Sequence, residues 1–522
     1  MMRQGKCIKL LVVLMIMSIL GGCTIIQILT RDTSIKMIPI TQEGIKTKKE
    51  EVVTLKWYMS VDSVEPDTEK VIEALNVYTR DKIGVEIDYI DIIDAEYKQK
   101  MPMYINAGEY FDICFTANWT NNYLQSVGRD AFMDITEILP EYAKETYEFI
   151  PDMIWDAISV EGRIYGIPSY KELGRQCGFF VNADMAKAYG IDLTTVKTLE
   201  DYSQVLKIVK EKSIAQGKEV IGISGLKYSL LEPYESLTGI PTLPGASPVK
   251  EYCNFTAEEE VFNQYASERY MDYCQLAYDW NQAGYTPRDP INYDGDIANR
   301  DNDFKNGKLF SYLISYAPGT AEAATASMGH GVTFIPLMDP LFETRNAMAG
   351  ILAISSQSKH PDKALEFLNL LNTDKYVGTL IRHGIEGQHH SLVGDNRVDK
   401  TIGGTLPGDI NGYSYTPGWR FGTPFNQKWD ISYPENIEEL FESYNASAIV
   451  APHNGFSFNT LPVATVITTL TNVIDEYGPA LETGCVDPKE NIPKFLKALE
   501  DNGVNTLLKE IETQIHIWQK RK

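Results

Sequence analysis

The amino-acid sequence predicts an α/β fold in which mainly parallel sheets are covered by helices. Three observations predict it. The chain has 522 residues, enough for several structural units with substantial cores. Its hydrophobic content of 43% and its charged content of 23% are typical of globular proteins. From residue 52 onward, segments with the alternation of strands are followed repeatedly by segments with helical spacing.

The first elements follow the order strand, helix, strand, helix, strand. Val53, Leu55 and Trp57 alternate with polar residues, as in a strand. Apolar spacing then predicts a helix over 68–82, a strand from 85, a helix over 95–106 and a buried strand at 111–115. Gly84 and Gly108 lie where the two helices are expected to end. This order implies right-handed crossovers and a ligand site at the carboxyl ends of the strands. Trp57-Tyr58 and Asn118-Trp119 are predicted to lie at these ends.

Further helices and strands are predicted along the rest of the chain. They are a helix over 199–212, a strand at 220–223, and helices over 259–283, 361–371 and 504–518. Residues 384–423 are rich in Gly, Tyr and Pro and predict loops. The apolar stripe of the last helix predicts docking on the core instead of on a membrane, because its polar face is not basic.

The N-terminus has the pattern of a secretory signal. Arg3, Lys6 and Lys9 precede an apolar run at 10–20, which is shorter than the roughly 18 residues of a membrane-spanning helix. Leu-Gly-Gly-Cys at 20–23 resembles a lipobox, which predicts cleavage before a lipid-modified Cys23. The alternative is a conventional cleavage site followed by an ordinary cysteine. We therefore expect a signal peptide at 1–22, a tether at 23–50, and a lipid-anchored protein on the outer face of the cell membrane.

Composition excludes some classes of partner. Lys and Arg number 48 against 71 Asp and Glu, a net charge of −23, which argues against nucleic acid or an anionic lipid surface as the main partner. The 30 tyrosines, 19 phenylalanines and 7 tryptophans suit a binding surface, since these rings contribute large contact areas.

Motifs of enzymes and cofactor-binding proteins are not found in the sequence. G-x-S-x-G, H-E-x-x-H, the P-loop and a helix-opening G-x-G-x-x-G are missing, so we predict no catalytic residue and no cofactor. Ser356 to Lys359 matches S-x-x-K without its companion motifs, which favours a turn. His389 and His390 are adjacent, and adjacent side chains of a strand point to opposite faces, so we predict no metal site.

The cysteines predict mostly buried thiols. Five remain after Cys23, an odd number without a C-x-x-C pair, which fits neither a zinc site nor a fully paired disulfide framework. One disulfide remains open, with Cys253 and Cys274 the nearest pair in the sequence.

Several ordered motifs resemble family 1 extracellular solute-binding proteins of carbohydrate ABC importers. They are WY at 57–58, FDICFT at 111–116 followed by Asn118 and Trp119, FMDITEILP at 132–140, VEGRIYGIP at 160–168 and FFVNADM at 179–185. The C-terminal part resembles a lipoprotein subgroup with an extra C-terminal domain of unknown function. The motifs there are AISSQSKHPDKALEFLNLL at 353–371, GIEG at 384–387 with His389, and EYGPALETG at 476–484.

The resemblance implies two α/β lobes of the periplasmic-binding-protein type II clamshell, with the solute held between them. The domains it implies are lobe 1 at 51–163 plus about 309–355, lobe 2 at 164–308 plus about 356–400, and a helix-rich C-terminal extension at about 401–522 packed on the lobes. It also implies a monomer that delivers a carbohydrate, expected to be an oligosaccharide, to the permease of an ABC importer.

A carbohydrate binder needs aromatic rings for stacking and charged groups for paired hydrogen bonds. Candidate ligand-binding residues are Trp57, Trp119, Tyr170, Arg175, Trp280, Trp419 and Arg420. Tyr170 and Arg175 follow the strand-like segment 164–168, where the resemblance implies a crossing between the lobes. Two alternatives remain open: a secreted lipoprotein enzyme, such as a glycoside hydrolase or polysaccharide lyase, and a binder of peptides or another solute. Each would also use aromatic surfaces, so composition alone does not separate the three.

Overall fold

The computed structural model describes residues 52–224, 253–255, 261–293, 297–337, 339–401, 412–413, 415, 418–451 and 454–521. The predicted signal peptide, Cys23 and the tether lie outside the described residues.

The strands of the described residues are short and are distributed along the whole chain. In chain order they are β1 (Val53–Val61), β2 (Val85–Ile93), β3 (Ile113–Thr116), β4 (Gly166–Pro168), β5 (Gln176–Asn182), β6 (Ile221–Ser224), β7 (Cys253–Phe255), β8 (Val261–Asn263), β9 (Leu309–Tyr316), β10 (Val332–Pro336), β11 (Leu341–Phe342), β12 (Ile351–Ile354), β13 (Ser391–Val393), β14 (Arg397–Asp399), β15 (Trp429–Asp430) and β16 (Ile449–Val450).

Helices separate most of these strands. In chain order they are α1 (Thr68–Ile83), α2 (Asp94–Ala107), α3 (Tyr123–Val127), α4 (Leu139–Tyr142), α5 (Lys144–Phe149), α6 (Asp152–Ile158), α7 (Ala183–Tyr189), α8 (Leu199–Ala215), α9 (Glu268–Gln282), α10 (Pro290–Tyr293), α11 (Ile297–Lys305), α12 (Thr320–Met328), α13 (Thr344–Ala347), α14 (Pro361–Thr373), α15 (Lys375–His383), α16 (Ile437–Ser447), α17 (Ala464–Glu482), α18 (Pro488–Asp501) and α19 (Val504–Gln519).

The predicted β-α-β-α-β order at the start of the chain is confirmed. Helices α1 and α2 end at Gly84 and Gly108, each with a φ of +68°, the left-handed conformation that glycine adopts at little cost. Strand β1 pairs in parallel with β2 and β3. Two antiparallel pairs add β12 and β4 to give a five-stranded sheet in the order β2-β1-β3-β12-β4.

A second sheet forms the other lobe, in the order β10-β5-β9-β6. Strand β5 is antiparallel to both of its neighbours, and β6 is parallel to β9. Each sheet therefore contains one strand that opposes the others, β12 in the first and β5 in the second. Both follow segments in which the chain passes from one lobe to the other, so they enter their sheet from the cleft and run away from it. The prediction of mainly parallel sheets did not include this reversal.

Three segments connect the lobes: residues 169–175, residues 339–350, and residues 448–451 with 454–456. The first two pair through Arg175 and Leu341, whose backbone groups bond at 2.8 and 3.0 Å. Strand β11 in the second segment pairs in parallel with β16 in the third. Gly174 has a φ of +79°, and a Cβ there would lie 2.9 Å from the backbone of Leu341, so glycine permits the close approach of the first two segments.

Two large cores correspond to the two lobes. The first contains the sheet of β1 together with α14 and α15, and the second contains the sheet of β5 together with α8, α9 and the three C-terminal helices α17 to α19. In α19, Val504, Leu507, Ile511 and Ile515 are buried, which confirms the predicted docking of this helix on the core. The C-terminal helices are thus an integral part of the second lobe.

The lobe boundaries of the structure differ from those predicted. Strands β9 and β10 belong to the second sheet, whereas the sequence assigned 309–355 to lobe 1. Helices α14 and α15 pack in the first core, whereas 356–400 was assigned to lobe 2. The segment after 401 divides between both cores, with Tyr413 and Phe421 in the first. Periodicity identifies strands and helices, but the sheet that a strand joins depends on pairing across the fold.

Candidate functional site

A cavity of about 280 Å³ lies between the two lobes. Both lobes and two connecting segments contribute to it. Its lining residues are Asn118, Trp119, Lys171, Glu172, Gly174, Arg175, Ser315, Arg345, Asn346 and Ala349. Asn118 and Trp119 follow β3, and Ser315 lies near the end of β9, so the site is at the carboxyl ends of these strands, as predicted for sheets of this kind.

The turn after β3 presents Trp119 to the cavity in a fixed orientation. Asn121 adopts a φ of +40°, a conformation that asparagine tolerates better than most residues, and its side-chain amide donates to Phe115 O at 3.2 Å. The indole Nε1 of Trp119 donates to Ala349 O at 2.8 Å, and the backbone N of Asn118 donates to Met348 O at 2.9 Å. The turn of the first lobe is therefore bonded to the second connecting segment.

A loop from the C-terminal part of the chain lies against this turn. Trp419 and Arg420 belong to a short 3-10 helix, Gly418–Phe421. The Trp419 ring lies 6.3 Å from the Phe115 ring and packs on Gly350, where a Cβ would lie only 2.8 Å from the indole. The ammonium group of Lys171 is 5.3 Å from the centre of the Trp419 ring. Trp419 thus contacts the first lobe and both connecting segments that line the cavity.

Arg382 in α15 holds this loop in place. Its side chain, only 1% exposed, donates to the carbonyl oxygens of Gly418 at 3.0 Å, Phe421 at 3.1 Å and Thr423 at 2.7 Å. It also donates to Gly378 O at 3.0 Å. Burial lowers the pKa of Arg382 to about 9, so the guanidinium remains charged at neutral pH and polarises the carbonyls that accept from it.

Arg420 lies at the carboxyl ends of β1, β2 and β3. Its Nη1 donates to Ser60 O at 2.9 Å and Asp94 Oδ1 at 2.8 Å, and its Nη2 donates to Asp62 Oδ1 at 2.8 Å and Asp94 Oδ2 at 3.0 Å. Burial raises the pKa of Asp62; the charge of Arg420 opposes this shift and the neighbouring Asp94 adds to it. The guanidinium is thus the charge that compensates two adjacent carboxylates.

Charged side chains from the connecting segments line the rest of the cavity. Lys171 and Glu172 form an ion pair. Arg345 Nε lies 2.6 Å from Oε2 of Glu343, a carboxylate that is 1% exposed. Burial lowers the pKa of Arg345 to about 9, and the positive charge of Arg175 contributes to this shift. The cavity therefore offers guanidinium and ammonium donors beside carboxylate and amide acceptors, which suits a ligand with many hydroxyl groups.

The structure brings together four of the seven residues predicted to bind ligand. Trp119 and Arg175 line the cavity, and Trp419 and Arg420 lie beside it. Tyr170 is half-buried and packs against Phe149 and Phe425, each at 5.3 Å, and it is not among the residues that line the cavity.

The other two predicted residues, Trp57 and Trp280, are core residues. Trp57 is fully buried in the middle of β1 and contacts Tyr89 and Phe367 edge to face. Strand β1 continues to Val61, so Trp57 lies four residues before the strand end at which the sequence placed it. Trp280 is 2% exposed and its indole donates to Ser203 Oγ at 2.8 Å. Neither ring presents a face to a solute in the cleft.

Sequence reasoning missed several polar residues of the cavity. These are Lys171, Glu172, Ser315, Arg345 and Asn346. The signal for the first two was their position directly after the 164–168 segment, where the connection between the lobes was expected. Arg345 and Asn346 gave no such signal, because the second connection was not located in the sequence.

The histidines and cysteines that the sequence singled out have local structural roles. Nε2 of His389 lies 3.1 Å from Asp67 Oδ2, and Nδ1 of His390 lies 3.1 Å from His383 O. Cys114, Cys177 and Cys274 are buried free thiols, so Cys274 is not in the disulfide that the sequence left open. Among the described residues, no three His, Cys, Asp or Glu side chains are grouped as a metal site requires. No helix in the described ranges combines the length and apolar character needed to cross a membrane.

Comparison with known proteins matches two segments of the chain to family profiles. The sequence profile of the bacterial extracellular solute-binding proteins matches residues 62–378. The profile of a domain of unknown function, DUF3502, matches residues 452–520, which contain α17 to α19. Both matches confirm the resemblance that the motifs indicated.

One curated relative and two crystal structures of a solute-binding protein match about nine tenths of the chain. A carbohydrate ABC transporter substrate-binding protein of Streptococcus pneumoniae serotype 4 is 25% identical over 475 residues, which cover 88% of this chain and 90% of the relative. The crystal structure of an N-glycan transport solute-binding protein from Streptococcus pneumoniae has a TM-score of 0.77 at 23% identity, covering 90% of this chain and 99% of that chain. Its complex with Man5GlcNAc has a TM-score of 0.68 at 24% identity, covering 90% and 99%.

The solved structures confirm the two-lobed fold. The family profile covers more than half of this chain, from the end of β1 to the start of α15. It begins directly after β1, and it includes every other strand of the two sheets, the first two connecting segments and every residue that lines the cavity. The chain belongs to the bacterial extracellular solute-binding proteins.

Proposed function

We propose that this protein captures an oligosaccharide in the cleft between its lobes and delivers it to the permease of an ABC importer. The observation that carries the proposal is the combination of an oriented indole, Trp119, with guanidinium, ammonium, carboxylate and amide groups from both lobes around one cavity. Aromatic rings bind the C–H faces of sugars, and charged groups bind their hydroxyls with paired hydrogen bonds.

The relatives support a carbohydrate as the solute. The Streptococcus pneumoniae relative is named a carbohydrate ABC transporter substrate-binding protein. The structural relative was solved with Man5GlcNAc. We take Trp119, Arg175 and Trp419 as the ligand-contacting residues of this chain, with Lys171, Glu172 and Arg345 as additional hydrogen-bonding groups.

The size of the cavity supports movement of the lobes. A volume of about 280 Å³ is just below the range for small-molecule sites, roughly 300–1,000 Å³. An oligosaccharide therefore needs the lobes to separate before it enters, and the three connecting segments are the places where such a hinge rotation would occur. The site binds its ligand without breaking a bond, in keeping with the family to which the chain belongs.

The proposal includes the location of the protein. Cleavage before Cys23 and lipid modification of its thiol would leave a monomer tethered to the outer face of the cell membrane by residues 23–50. A tether of this kind holds the binding protein near its permease, which raises the effective concentration of the loaded form.

Calorimetric titration and thermal shift test the proposal. The mature protein is titrated with Man5GlcNAc, Man1GlcNAc, kestose and a set of unrelated peptides. A ligand present at 100 times its dissociation constant adds about 2.7 kcal/mol to the stability of the folded state. We expect at least one glycan to bind and stabilise the protein, and Trp119→Ala to reduce this stabilisation. Binding only to peptides, or sustained turnover of a glycan by homogeneous protein, would overturn the proposal.

A further inference from the structure

We propose that Arg420 is a positioning residue that holds Trp119 and Trp419 as one pre-organised platform for a sugar ring. The sugar in this statement rests on the function proposed above, while the positioning role does not. Arg420 lies between the segments matched by the two family profiles, 62–378 and 452–520, so neither profile assigns it a role.

Three aromatic rings surround the guanidinium of Arg420. Its Cζ is 5.2 Å from the centre of the Trp119 ring, 5.6 Å from that of Trp419 and 5.9 Å from that of Phe115. Cations within about 6 Å of a ring centre are attracted to its face, most strongly for tryptophan and where water is excluded. Arg420 is only 6% exposed, so water competes weakly for these contacts.

The two indoles of the platform come from distant parts of the chain. Trp119 follows β3, and Trp419 precedes Arg420 in the loop held by Arg382. Each ring also has its own tie to the second connecting segment, through Ala349 for Trp119 and Gly350 for Trp419. The guanidinium contacts both rings, and so does the Phe115 ring, at 5.9 Å from Trp119 and 6.3 Å from Trp419. Of these two groups the guanidinium is the one fixed by hydrogen bonds, so its position helps to set how the indoles are placed relative to each other.

The hydrogen bonds of Arg420 indicate that it does not itself bind the sugar through its terminal nitrogens. The four N–H groups of Nη1 and Nη2 match four acceptors: Ser60 O, Asp62 Oδ1 and both carboxylate oxygens of Asp94. Ser60 Oγ donates to Asp94 Oδ1, which further fixes that carboxylate. A fork bonded in this way is rigid, and we infer that its role is to fix the rings instead of contacting the ligand.

Replacement of Arg420 by lysine tests the positioning of the two indoles separately from the positive charge of the side chain. Lysine keeps the positive charge but lacks the planar fork that bonds both oxygens of Asp94. Asp62→Asn is the milder second variant, because the Asp62 side chain is 52% exposed and supplies one of the four acceptors. The matched control is Arg300→Lys, which alters an arginine stacked 4.3 Å from the Tyr312 ring centre in the second lobe.

The readout is ¹⁹F NMR of the mature protein labelled with 5-fluorotryptophan. The chain has seven tryptophans, and Trp119→Phe and Trp419→Phe assign the two resonances of the platform. In the unliganded protein we expect Arg420→Lys to shift and broaden these two resonances, Asp62→Asn to affect them less, and Arg300→Lys to leave them unchanged. The resonances of Trp280 and Trp518, which belong to the second core, should stay in place in all three variants.

Affinity for Man5GlcNAc is the second readout. We expect Arg420→Lys to weaken binding at least tenfold, because the rings must then be ordered when the ligand binds. Unchanged resonances of Trp119 and Trp419 in Arg420→Lys would overturn the positioning role, even with weakened binding, since the arginine would then act by direct contact. If the parent protein does not bind Man5GlcNAc, this glycan is not its ligand. The resonances of Trp119 and Trp419 in the unliganded protein still test the positioning role of Arg420.

Discussion

Arg420 and Asp94 form a two-point ion pair, with Nη1 2.8 Å from Oδ1 and Nη2 3.0 Å from Oδ2. The two residues are 326 positions apart in the chain. Asp94 immediately follows β2, so the pair joins the C-terminal loop to the strand ends that border the cleft. The loop therefore takes part in the site although it lies outside the segment that defines the family.

Replacement of Trp119 by alanine should weaken glycan binding at least tenfold. The change removes the indole face and the bond to Ala349 O, and a tenfold loss corresponds to about 1.4 kcal/mol. Calorimetric titration with Man5GlcNAc measures it. Trp518→Ala is the matched control, since Trp518 is half-buried in α19 and packs on Phe456 in the second lobe. Equal affinities of the Trp119 variant and the parent would remove Trp119 from the site.

Ligand binding should make the protein more compact. If the free protein is about 99% open and the complex about 99% closed, the ligand must prefer the closed state about 10⁴-fold, or roughly 5.5 kcal/mol. Contacts made to both lobes only on closure can supply this difference. Small-angle scattering should then show a fall in the radius of gyration on adding a glycan that binds. Tight binding with no such fall would contradict closure of the lobes.

Replacement of Arg382 by methionine should destabilise the first lobe. The change leaves buried carbonyl oxygens of the 418–423 loop without their donor, at about 1–3 kcal/mol for each unsatisfied group. We expect the free energy of unfolding in urea to fall by about 3 kcal/mol or more. Arg288→Met is the control, because its side chain is 90% exposed, and such surface changes stay within roughly 0.5 kcal/mol. A similar stability of the two variants would argue against the bracing role of Arg382.

Asp67 should titrate below its ordinary pKa of 3.8. The hydrogen bond from Lys70 is the main cause of the lowered pKa, and the bond from His389 adds to it. Because the folded-state pKa is lowered, the stabilisation from Asp67 is present above pH 3.8 and is lost as the pH falls through the lowered value. Carboxyl ¹³C NMR should show the Asp67 pKa rising toward 3.8 in Lys70→Met and staying low in Lys70→Arg. The same pKa in both variants would contradict the assignment.

The mature N-terminus of the protein should carry the lipid anchor at Cys23. Mass spectrometry of the mature N-terminus should find a lipid-modified Cys23 in the parent protein. Cys23→Ala should stay uncleaved by the lipoprotein peptidase and carry no lipid, because the thiol is the acceptor of the diacylglycerol. Cys7→Ala, which changes the other cysteine of the N-terminal segment, should be processed normally. A parent protein that begins elsewhere would contradict the anchoring.

Local patterns predicted much of the fold because they depend on neighbours in the sequence. Alternating apolar residues located β1 and β2, helical spacing located α1 and α14, and Gly84 and Gly108 marked two helix ends. Trp119 could be placed at the cleft because it directly follows a short apolar strand, and carboxyl ends of parallel strands meet at one edge of a sheet.

Features that depend on long-range pairing could not be predicted in this way. Trp57 and Trp119 both looked like residues at strand ends, yet β1 continues to Val61 and buries Trp57. Arg345 lines the cavity because the second connecting segment pairs with Arg175 through Leu341, a contact with no local signal.

The sequence by itself therefore determined the α/β class, the family and the strand end that carries Trp119. Only the tertiary structure decided which strands share a sheet, which aromatic residues face the cleft, and that Arg420 lies among three rings and two carboxylates. The physical reason is that the spacing of apolar residues along the chain shows which face of a helix or strand is buried. The partner of that face is decided by packing between segments that are hundreds of residues apart.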